Sequence, residues 1–498
     1  MSKLTSNAPA DTESSPPDVP FVARSLVAGQ WRSDTSGGEH ARLDPYRERP
    51  ASIASLCGET EVVEAERATV AGSRACSSMA PYARAEVLER AGELVAARRE
   101  ELAVIETIEL GKPLRDTLGE MDRAAETLWI AAAQAREMTG ELLPAEGWRR
   151  GAGTTAICFR VPLGTVLAIT PFNAPVNLLA HKTAASFAAG NATIVKPPPQ
   201  APAVSSRFVE ILLEAGLPEE GIQLLHGDAG IGSALVASDA VHAVAFTGSA
   251  RAGAAVARTA GPKRTVLELG GNAATIVCAD ADLAQAARLC ASTGYSNSGQ
   301  SCISVQRVYV ERPVYEEFAA LLSTAVRALR VGDPLDSATD VGCMVDAEAA
   351  ARVEGWIHEA VDGGADLLAG GRRTGATLEP TLLGAPPPGA KVIVEEVFGD
   401  LVSLVPVDDF ESAVAAANDT RFGLQAGLFT RDVGRVFAAA RSLAVGAVIV
   451  NGTSNFRLDH LPFGGVKDSG LGRESPRWLI DDFSAVKTLI FRDQSLWS

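Results

Sequence analysis

The regular alternation of apolar runs and amphipathic stretches between residues 160 and 280 most constrains the fold of this chain. Short apolar runs typical of buried strands occur in "GTVLAIT", "NATIVKP", "GIQLLHG", "VHAVAFTGS" and "RTVLELGG". Helical stretches such as "APVNLLAHKTAASFAAG" and "SARAGAAVARTAG" lie between them. Apolar strands joined by helices form a parallel sheet covered on both faces. We therefore predict an α/β domain that binds a ligand, typically a nucleotide, at the carboxyl ends of its strands.

Three further regions complete the predicted organisation. Residues 84–139 are rich in Ala and Glu with helical periodicity, interrupted near "GKPLRD", which predicts a layer of helices before the sheet. A second succession of helices and strands over about residues 276–450 predicts a second α/β domain. The late apolar run "AVKTLIF" predicts a strand whose open edge needs a partner.

Composition and charge exclude several classes of protein. The formal net charge of −16 argues against nucleic acid as a partner, because a phosphate backbone requires a clustered basic face. No apolar run reaches the roughly 18 residues that cross a bilayer, and residues 1–20 are predicted to be a disordered tail rather than a secretory signal. The seven cysteines form no CxxC pair and the six histidines no helical pair. We therefore expect reduced thiols, a cytoplasmic protein and no metal site.

Cys302 lies in "SNSGQSCISVQRVYV", between a glycine-rich polar turn and an apolar run. It could be a buried packing residue, half of a disulfide, a metal ligand or a nucleophile. The turn formed by Gly299, Gln300 and Ser301 can leave the sulfur at the start of a strand, near backbone N–H groups that favour a thiolate. This setting is typical of a candidate nucleophile, although packing is the commoner role of a lone cysteine.

Two other polar residues follow predicted strands of the parallel sheet. Glu268 ends the strand of "VLELGGN", where two glycines allow close approach of backbone or ligand, and it is the candidate general base. The alternative for Glu268 is a structural salt bridge. Asn173 in "ITPFNAPVN" lies between a strand and a helix, where its amide can either donate into the crevice or cap the helix.

Seven motifs of this chain follow the order and spacing known from one enzyme superfamily. They are "PFNAP", "IVKP", "FTGS", "LELGGN", "GQSC", "EEVFG" and "PFGGVKDSGLGRE". Over about residues 25–495 the chain resembles the aldehyde dehydrogenase superfamily. The resemblance implies a Rossmann-like NAD(P)-binding domain over residues 21–140 and 162–272, an α/β catalytic domain over residues 273–465, and a β oligomerisation arm over residues 141–161 and 466–498.

The resemblance implies a role for each of the three crevice residues. Cys302 attacks the aldehyde carbonyl, and the Asn173 amide and the Cys302 backbone N–H hold the oxyanion. After hydride passes to the nicotinamide, water activated by Glu268 hydrolyses the thioester. Relatives that pass the acyl group to coenzyme A often lack a carboxylate at the Glu268 position, so its presence favours hydrolysis over an acylating relative. A catalytically silent relative, the third alternative, would be signalled by loss of the nucleophile, and Cys302 is present.

The resemblance also implies a set of cofactor contacts. The residues expected to contact the dinucleotide are Lys196, Gly248, Ser249, Gly232, Glu396, Phe398 and Phe172. NAD is the expected cofactor. NADP is the alternative, because Pro199 stands where many NAD-dependent relatives carry a glutamate and because Arg251 lies close to the phosphate-binding helix start. Asp400 replaces the usual proline after "EEVFG", and the sequence offers no physical account of it.

Substrate choice is expected to lie in an access tunnel. The resemblance assigns to it Arg123, Ala174, Asn177, Ser301, Ile303, Arg457 and Phe463. Two arginines among small or polar residues favour a short aldehyde with an anionic end, such as phosphonoacetaldehyde, phosphonoformaldehyde, succinic semialdehyde or sulfoacetaldehyde. Alternatively, one or both arginines pair with Asp122, Asp459 or a partner subunit, and the substrate is lactaldehyde or a broad range of aliphatic aldehydes.

The expected assembly is a homodimer or homotetramer. The strands of "GAGTTAICFRV" and "AVKTLIF" are assigned to the subunit contact, because pairing there would bury edges that are otherwise open to aggregation. The motif run "NFRLDHLPFGGVKDSGLGRE" is most similar to the lactaldehyde and phosphonoacetaldehyde dehydrogenase branch.

Overall fold

A computed structural model describes residues 19–492 of the chain. Large sheets flanked by helices dominate the architecture, so the predicted α/β class is confirmed. Most of the predicted tail, residues 1–18, and the end of the predicted arm, residues 493–498, lie outside the described residues. Among the helices of residues 19–492, none has both the length and the apolar character that crossing a bilayer requires.

The first sheet is parallel at its centre. In spatial order its strands are Gly470–Leu471, Arg264–Glu268, Ala243–Thr247, Thr165–Ile169, Ala192–Lys196, Ile222–Leu224, Ser25–Val27 and Gln30–Arg32. The strands between Arg264 and Leu224 in this order are parallel, and they are the ones that the sequence predicts. Their carboxyl ends are in register, with Ile169 opposite Lys196 and Thr247 opposite Glu268. Polar residues after these strands therefore meet at one edge.

Helices cover both faces of the first sheet. Those from this part of the chain are Glu59–Ser78, Pro81–Ala97, Arg99–Leu110, Leu114–Arg136, Pro175–Ala188, Pro202–Ala215, Ala229–Ala237 and Ala250–Ala260. Val166 and Val195 pack into one core, whereas the adjacent Leu167 and Ile194 pack into another on the opposite face. The predicted interruption near "GKPLRD" is the break after Leu110, where a left-handed glycine ends the helix.

The second sheet lies C-terminal to the first in sequence. In spatial order its strands are Asp366–Ala369, Thr381–Gly384, Leu401–Val407, Arg307–Glu311, Ala274–Val277, Gln425–Phe429 and Ala447–Val450. Neighbouring strands are parallel except at the Asp366–Ala369 edge. The accompanying helices are Leu283–Gly294, Tyr315–Arg327, Ala347–Asp362, Lys391–Val394, Phe410–Asn418 and Val433–Ser442.

A separate antiparallel sheet contains the strands predicted for the arm. Its members are Glu141–Leu143, Thr154–Pro162 and Ser484–Arg492. The last two pair along their whole length, from Ser484 opposite Pro162 to Arg492 opposite Thr154. Smaller elements complete the described chain: strands Phe21–Ala23, Glu39–Asp44, Arg49–Ser55, Arg373–Thr374 and Thr377–Leu378, and helix Pro476–Asp482.

Candidate active site

The carboxyl edge of the first sheet collects the polar residues that the sequence singled out. Lys196 and Glu268 are the last residues of their strands, and Asn173 follows the strand Thr165–Ile169. Cys302 reaches this edge from the other sheet, in the turn that precedes the strand Arg307–Glu311. The candidate nucleophile, base and oxyanion donor thus belong to segments that end at one crevice.

Two glycines allow close contacts around the candidate nucleophile and base. A Cβ atom at Gly271 would lie 2.1 Å from the carbonyl oxygen of Cys302, and one at Gly464 would lie 2.8 Å from Oε1 of Glu268. Any larger residue at either position would force these groups apart. The expectation that the glycines of "LELGGN" permit close backbone approach is therefore confirmed.

The turn before Cys302 is conformationally unusual. Asn297, Ser298 and Gly299 are consecutive left-handed residues, with φ of 50°, 51° and 66°. Such backbone persists only where surrounding contacts impose it, and it is commonest at functional sites. The Cys302 side chain is half-buried and packs against Ile303, Leu424 and Phe463.

The Cys302 thiol is neutral at pH 7. Burial raises its pKa to about 12, and the carboxyl groups of Glu396 and Glu268 add to the rise. The expectation that this turn favours a thiolate is therefore wrong, because burial and the two carboxyl groups favour the neutral thiol. A proton must leave the sulfur before it can attack a carbonyl.

Glu268 is a buried carboxyl group without a partner. Its side chain is 3% exposed, and neither oxygen has a hydrogen-bond partner within residues 19–492. Burial raises its pKa well above the ordinary value, and repulsion by Glu474 adds to the effect. No ion pair of the described chain includes Glu268, so the salt-bridge alternative does not hold. When it is ionised, a carboxylate with a raised pKa is a stronger base than an ordinary one and can accept a proton from water.

Asn173 does not cap the helix that follows it. The N-cap residue of Pro175–Ala188 is Ala174, and no side chain of the cap residue bonds the helix. Instead, Oε1 of Glu120 accepts from the backbone N–H groups of Val176 and Asn177, at 2.9 and 3.0 Å. The capping alternative for Asn173 is therefore wrong, and its amide remains available to donate into the crevice.

Among the residues predicted to hold the dinucleotide, the surroundings of Lys196 fit such a ligand. Ser249 is the N-cap of helix Ala250–Ala260, and the N–H of Gly248 donates to the carbonyl of Glu268 at 3.0 Å. Lys196 is 8% exposed, and burial lowers the pKa of its ammonium. Within the described chain no residue accepts a hydrogen bond from that ammonium. A buried donor of this kind needs acceptors from a ligand, which ribose hydroxyls would supply.

Gly232 lies in the segment "HGDAGIG", which contains the start of a helix. Asp228 caps Ala229–Ala237 by accepting from Gly230 and Ile231, and Gly232 is buried within that helix. A Cβ atom at Gly232 would meet no heavy atom within 4 Å, which leaves space beside it.

Pro199 and Arg251, on which the NADP alternative depends, are both exposed.

The "EEVFG" loop meets the "PFNAP" loop. The rings of Phe398 and Phe172 contact edge to face, with centroids 5.8 Å apart. Oε1 of Glu396 accepts from the N–H of Gly271 at 3.0 Å, and burial raises the pKa of Glu396 to about 7. The predicted cofactor residues Phe172, Phe398 and Glu396 are therefore linked to the same "LELGGN" turn that contacts Cys302.

Both arginines predicted for the tunnel contact carboxylates. Nε and Nη2 of Arg123 donate to Asp459 at 2.9 and 2.8 Å, so the alternative of an Arg123–Asp459 pair is the observed one. Nη2 of Arg457 donates to Oε2 of Glu474 at 3.0 Å. The Arg457 side chain is only 8% exposed, and its guanidinium lies 4.1 Å from the centre of the Phe463 ring.

The remaining predicted tunnel residues differ in accessibility. Asn177 is fully buried, and its Oδ1 accepts from Oγ1 of Thr127 at 3.0 Å, so this amide is occupied by a contact within the protein. Ser301 and Ala174 are half-buried. The Oγ of Ser301 accepts from the N–H of Ile303 at 3.4 Å.

Comparison with known proteins agrees with this geometry. Residues 31–489 match the Aldehyde dehydrogenase family. The chain belongs to this family. The family resemblance and the fold that it implies are confirmed, and the protein is an enzyme that oxidises aldehydes with NAD or NADP.

Individual relatives of this aldehyde dehydrogenase cover nearly its whole length. It is 40% identical to the 3-sulfolactaldehyde dehydrogenase of Priestia megaterium over 465 residues, which are 93% of this chain and 97% of the relative. It is 33% identical to aldehyde dehydrogenase 21 of Physcomitrella patens, solved with the reaction product succinate, at a TM-score of 0.92, with 95% and 99% of the two chains covered. The NADP-dependent glyceraldehyde-3-phosphate dehydrogenase of Bacillus halodurans, solved with NADP, is 32% identical at a TM-score of 0.92, with the same coverage.

The sequence reasoning missed a buried charge network in this dehydrogenase. Nζ of Lys182 donates to Oε1 of Glu474 at 2.5 Å and to Oγ1 of Thr247 at 2.7 Å, while Arg457 contacts the other oxygen of Glu474. Burial acts to raise the pKa of Glu474, but Lys182 and Arg457 outweigh it and lower the pKa below the ordinary value. One signal was present: Lys182 lies in a helix whose residues are all buried, so its ammonium requires a buried anion.

Proposed function

We propose that this aldehyde dehydrogenase oxidises a short aldehyde with an anionic end to the corresponding carboxylic acid. The observation that carries the proposal is the buried Arg457. Its guanidinium stacks on Phe463, a ring that packs with Ile303 against Cys302. The charge of Arg457 also opposes the rise in the pKa values of both Cys302 and Glu268, so it acts within range of the reacting groups.

The proposed reaction uses three side chains of this chain. Once the Cys302 thiol has released its proton to solvent water, Sγ adds to the aldehyde carbon, and the Asn173 amide and the Cys302 N–H donate to the oxyanion. NAD or NADP, when bound, accepts the hydride that this carbon loses. Glu268 then removes a proton from the water that attacks the thioester carbon; the C–S bond breaks, the acid is released, and the proton held by Glu268 returns to the Cys302 sulfur.

Charge balance supports an anionic substrate end. The ammonium of Lys182 and the guanidinium groups of Arg123 and Arg457 face the carboxylates of Asp459 and Glu474. His181, which also contacts Asp459, has its pKa lowered by burial and so adds no charge at neutral pH. These groups carry one positive charge more than their carboxylates balance as long as Glu268, which interacts electrostatically with Lys182 and Arg457, is protonated. A substrate anion would balance that charge.

The hydrogen bonds of Arg457 leave a donor for this anion. Its ion pairs and hydrogen bonds with Glu474, Asp459 and His181 use Nε and Nη2, and none of them uses Nη1. A planar guanidinium can thus contact Glu474 on one side and a sulfonate, phosphonate, phosphate or carboxylate on the other. The molecules named for three of the similar proteins, 3-sulfolactaldehyde, glyceraldehyde-3-phosphate and succinate, carry such a group, whereas lactaldehyde, named for the 33% identical enzyme of Methanococcus aeolicus, does not.

We also propose NAD as the preferred cofactor, a cytoplasmic location and a homodimer or homotetramer. The cysteines within residues 19–492 are all free, which supports a reducing compartment.

On the strand Ser484–Arg492, Val486 and Ile490 are 62% and 58% exposed. Apolar groups on an open strand favour contact with a second subunit.

A substrate comparison tests the proposed function. Initial rates of NAD and NADP reduction are measured with sulfoacetaldehyde, succinic semialdehyde, phosphonoacetaldehyde, lactaldehyde and propanal. We expect one anionic aldehyde to exceed propanal in kcat/KM by about 100-fold or more, roughly 2.7 kcal/mol of transition-state discrimination. A preference for lactaldehyde or propanal would contradict the anionic substrate.

The variant Arg457→Met tests whether the Arg457 side chain is responsible for the preference for an anionic aldehyde. We expect its KM for the anionic aldehyde to rise about 10- to 100-fold, because a charge-assisted contact is lost, while the KM for propanal stays within about threefold. Arg136→Met removes an exposed arginine on the same helix as Arg123 and is the matched control. Equal effects of Arg457→Met on the two substrates would show that Arg457 does not bind the anionic end.

A further inference from the structure

The backbone carbonyl of Asn173 receives hydrogen bonds from two distant side chains. Nδ2 of Asn297 donates to this oxygen at 2.9 Å, and Nζ of Lys112 donates to it at 3.3 Å. Neither donor touches the Asn173 amide itself. Together they define the position of the peptide from which that amide projects.

Lys112 brings a buried charge cluster to this carbonyl. Its side chain is 6% exposed, and its ammonium contacts Glu106 at 3.0 Å and also Glu120. Although burial acts to lower its pKa, the two glutamates outweigh burial and raise it, so the group is charged. Because Glu120 also binds the first N–H groups of helix Pro175–Ala188, Lys112 holds both the carbonyl of Asn173 and the start of the next helix.

Asn297 brings the Cys302 turn to the same carbonyl. It is the first of the left-handed residues in that turn, and its N–H donates to Oδ2 of Asp116 at 2.9 Å. Its Nδ2 also contacts the carbonyl of Gln300 at 3.2 Å. One side-chain amide therefore bridges the segment that carries the nucleophile and the segment that carries Asn173.

We propose that Lys112 and Asn297 are positioning residues that fix the Asn173 amide relative to Cys302. The inference rests on the proposed role of Asn173 as the oxyanion donor. Such a donor is effective only if it is held in place before the oxyanion forms, and a displacement of about 1 Å can slow a reaction roughly 100-fold. The two residues act through Asn173 and do not contact the substrate.

The substitution Asn297→Asp tests this proposal with little change in shape. Aspartate tolerates the left-handed conformation but its carboxylate cannot donate to the Asn173 carbonyl. We expect kcat to fall about 10- to 100-fold, with KM within about threefold of the original value. Asn455→Asp is the matched control, because Asn455 donates to the carbonyl of Thr293 and Oγ of Ser296 but not to Asn173, and it should keep kcat within about twofold.

A double-mutant cycle separates positioning from a merely structural role. In an Asn173→Ala background the amide is absent, so Asn297→Asp should lower kcat by less than about threefold. Equal fold-losses in the two backgrounds, or no loss from Asn297→Asp alone, would overturn the inference. If Asn173→Ala itself retained normal kcat, the proposed oxyanion role would fail instead.

Lys112→Met gives a second cycle with Asn173→Ala. It leaves Glu106 and Glu120 without their cation, so its melting temperature should fall markedly. Where the variant folds, the kcat loss should again disappear in the Asn173→Ala background, and an additive loss would remove Lys112 from the proposal. If Lys112→Met does not fold, Lys112→Arg is used in its place. A smaller loss of kcat is then expected, and it should likewise disappear in the Asn173→Ala background.

Discussion

Two regions of the crevice each contain a buried carboxyl group, and the pKa values of these groups shift in opposite directions. The reacting end contains Cys302 and Glu268, and the charged end contains Glu474 with Lys182 and Arg457. Glu268 and Glu474 are 3% and 1% exposed. Glu268 has no partner within the described chain, and burial raises its pKa, whereas Lys182 and Arg457 lower the pKa of Glu474. Equal burial thus accompanies a raised pKa at Glu268 and a lowered pKa at Glu474, and the difference follows the direct ion pairs of Glu474 with Lys182 and Arg457, which Glu268 lacks.

This difference indicates a division of roles. A carboxyl group that must exchange protons with water gains from having no permanent partner, since an ion pair would hold it ionised and make it a poor base. A carboxylate that orients an arginine must instead stay ionised, and a permanent ion pair keeps it so. Substitutions at the reacting end should therefore reduce kcat without loss of stability. Substitutions at the charged end should reduce stability with a smaller effect on kcat.

The largest expected effect is that of Cys302→Ala. Removal of the nucleophile should lower kcat by at least about 10⁴-fold, while the melting temperature changes little because the thiol makes no hydrogen bond that holds the turn. Steady-state rates and thermal unfolding measure the two quantities. Cys290→Ala is the control: Cys290 is fully buried in helix Leu283–Gly294, and its substitution should leave kcat within about twofold. Substantial turnover by Cys302→Ala would end the assignment of Cys302.

Glu474→Gln should show the opposite pattern. It leaves Lys182 and Arg457 facing a neutral amide, and breaking buried ion pairs in this way typically lowers the free energy of unfolding by about 3–5 kcal/mol. Denaturant unfolding would measure this loss. The exposed pair of Glu359 and Lys391 offers a control, since Glu359→Gln should change stability by less than about 1 kcal/mol. An unchanged stability of Glu474→Gln would remove the contrast between the two ends.

The smallest predicted effect is a pH dependence of turnover. Because Glu268 acts as a base only when it is ionised and its pKa is raised, kcat limited by thioester hydrolysis should fall about tenfold for each pH unit below that pKa. Glu396, whose pKa is about 7, also titrates near this range. The variant Glu396→Gln distinguishes the two groups. If Glu268 causes the fall in kcat at low pH, that fall should persist in this variant. A kcat independent of pH down to about pH 5 would mean that the pKa of Glu268 is not raised.

Local patterns in the sequence predicted much of the fold and the reacting end. The apolar runs before Asn173 and Glu268 predicted strands whose carboxyl ends share an edge, because strand period and helix period are properties of adjacent residues. The turn before Cys302 was predicted as a turn, and its glycine-rich sequence suits the left-handed backbone. These features depend on residues close together in sequence.

The charged end could not be predicted, because its pairs join residues far apart in sequence. Arg123 and Asp459 are separated by 336 residues, and Lys182 and Glu474 by 292. No periodicity links such pairs, so the sequence could only leave their pairing open. The effect of burial on the pKa of the Cys302 thiol was missed for the same reason, since residues that cover the thiol, such as Leu424, come from later segments of the chain.

The most direct test of the contrast between the two ends is Glu268→Gln, measured as burst, steady-state rate and melting temperature. If the partnerless carboxyl group is the hydrolytic base, one equivalent of reduced cofactor should form rapidly and kcat should fall about 100-fold or more. The melting temperature should not fall, because a buried group without partners is replaced by a neutral one of the same shape. Normal turnover, or a loss of stability as large as that of Glu474→Gln, would contradict the account.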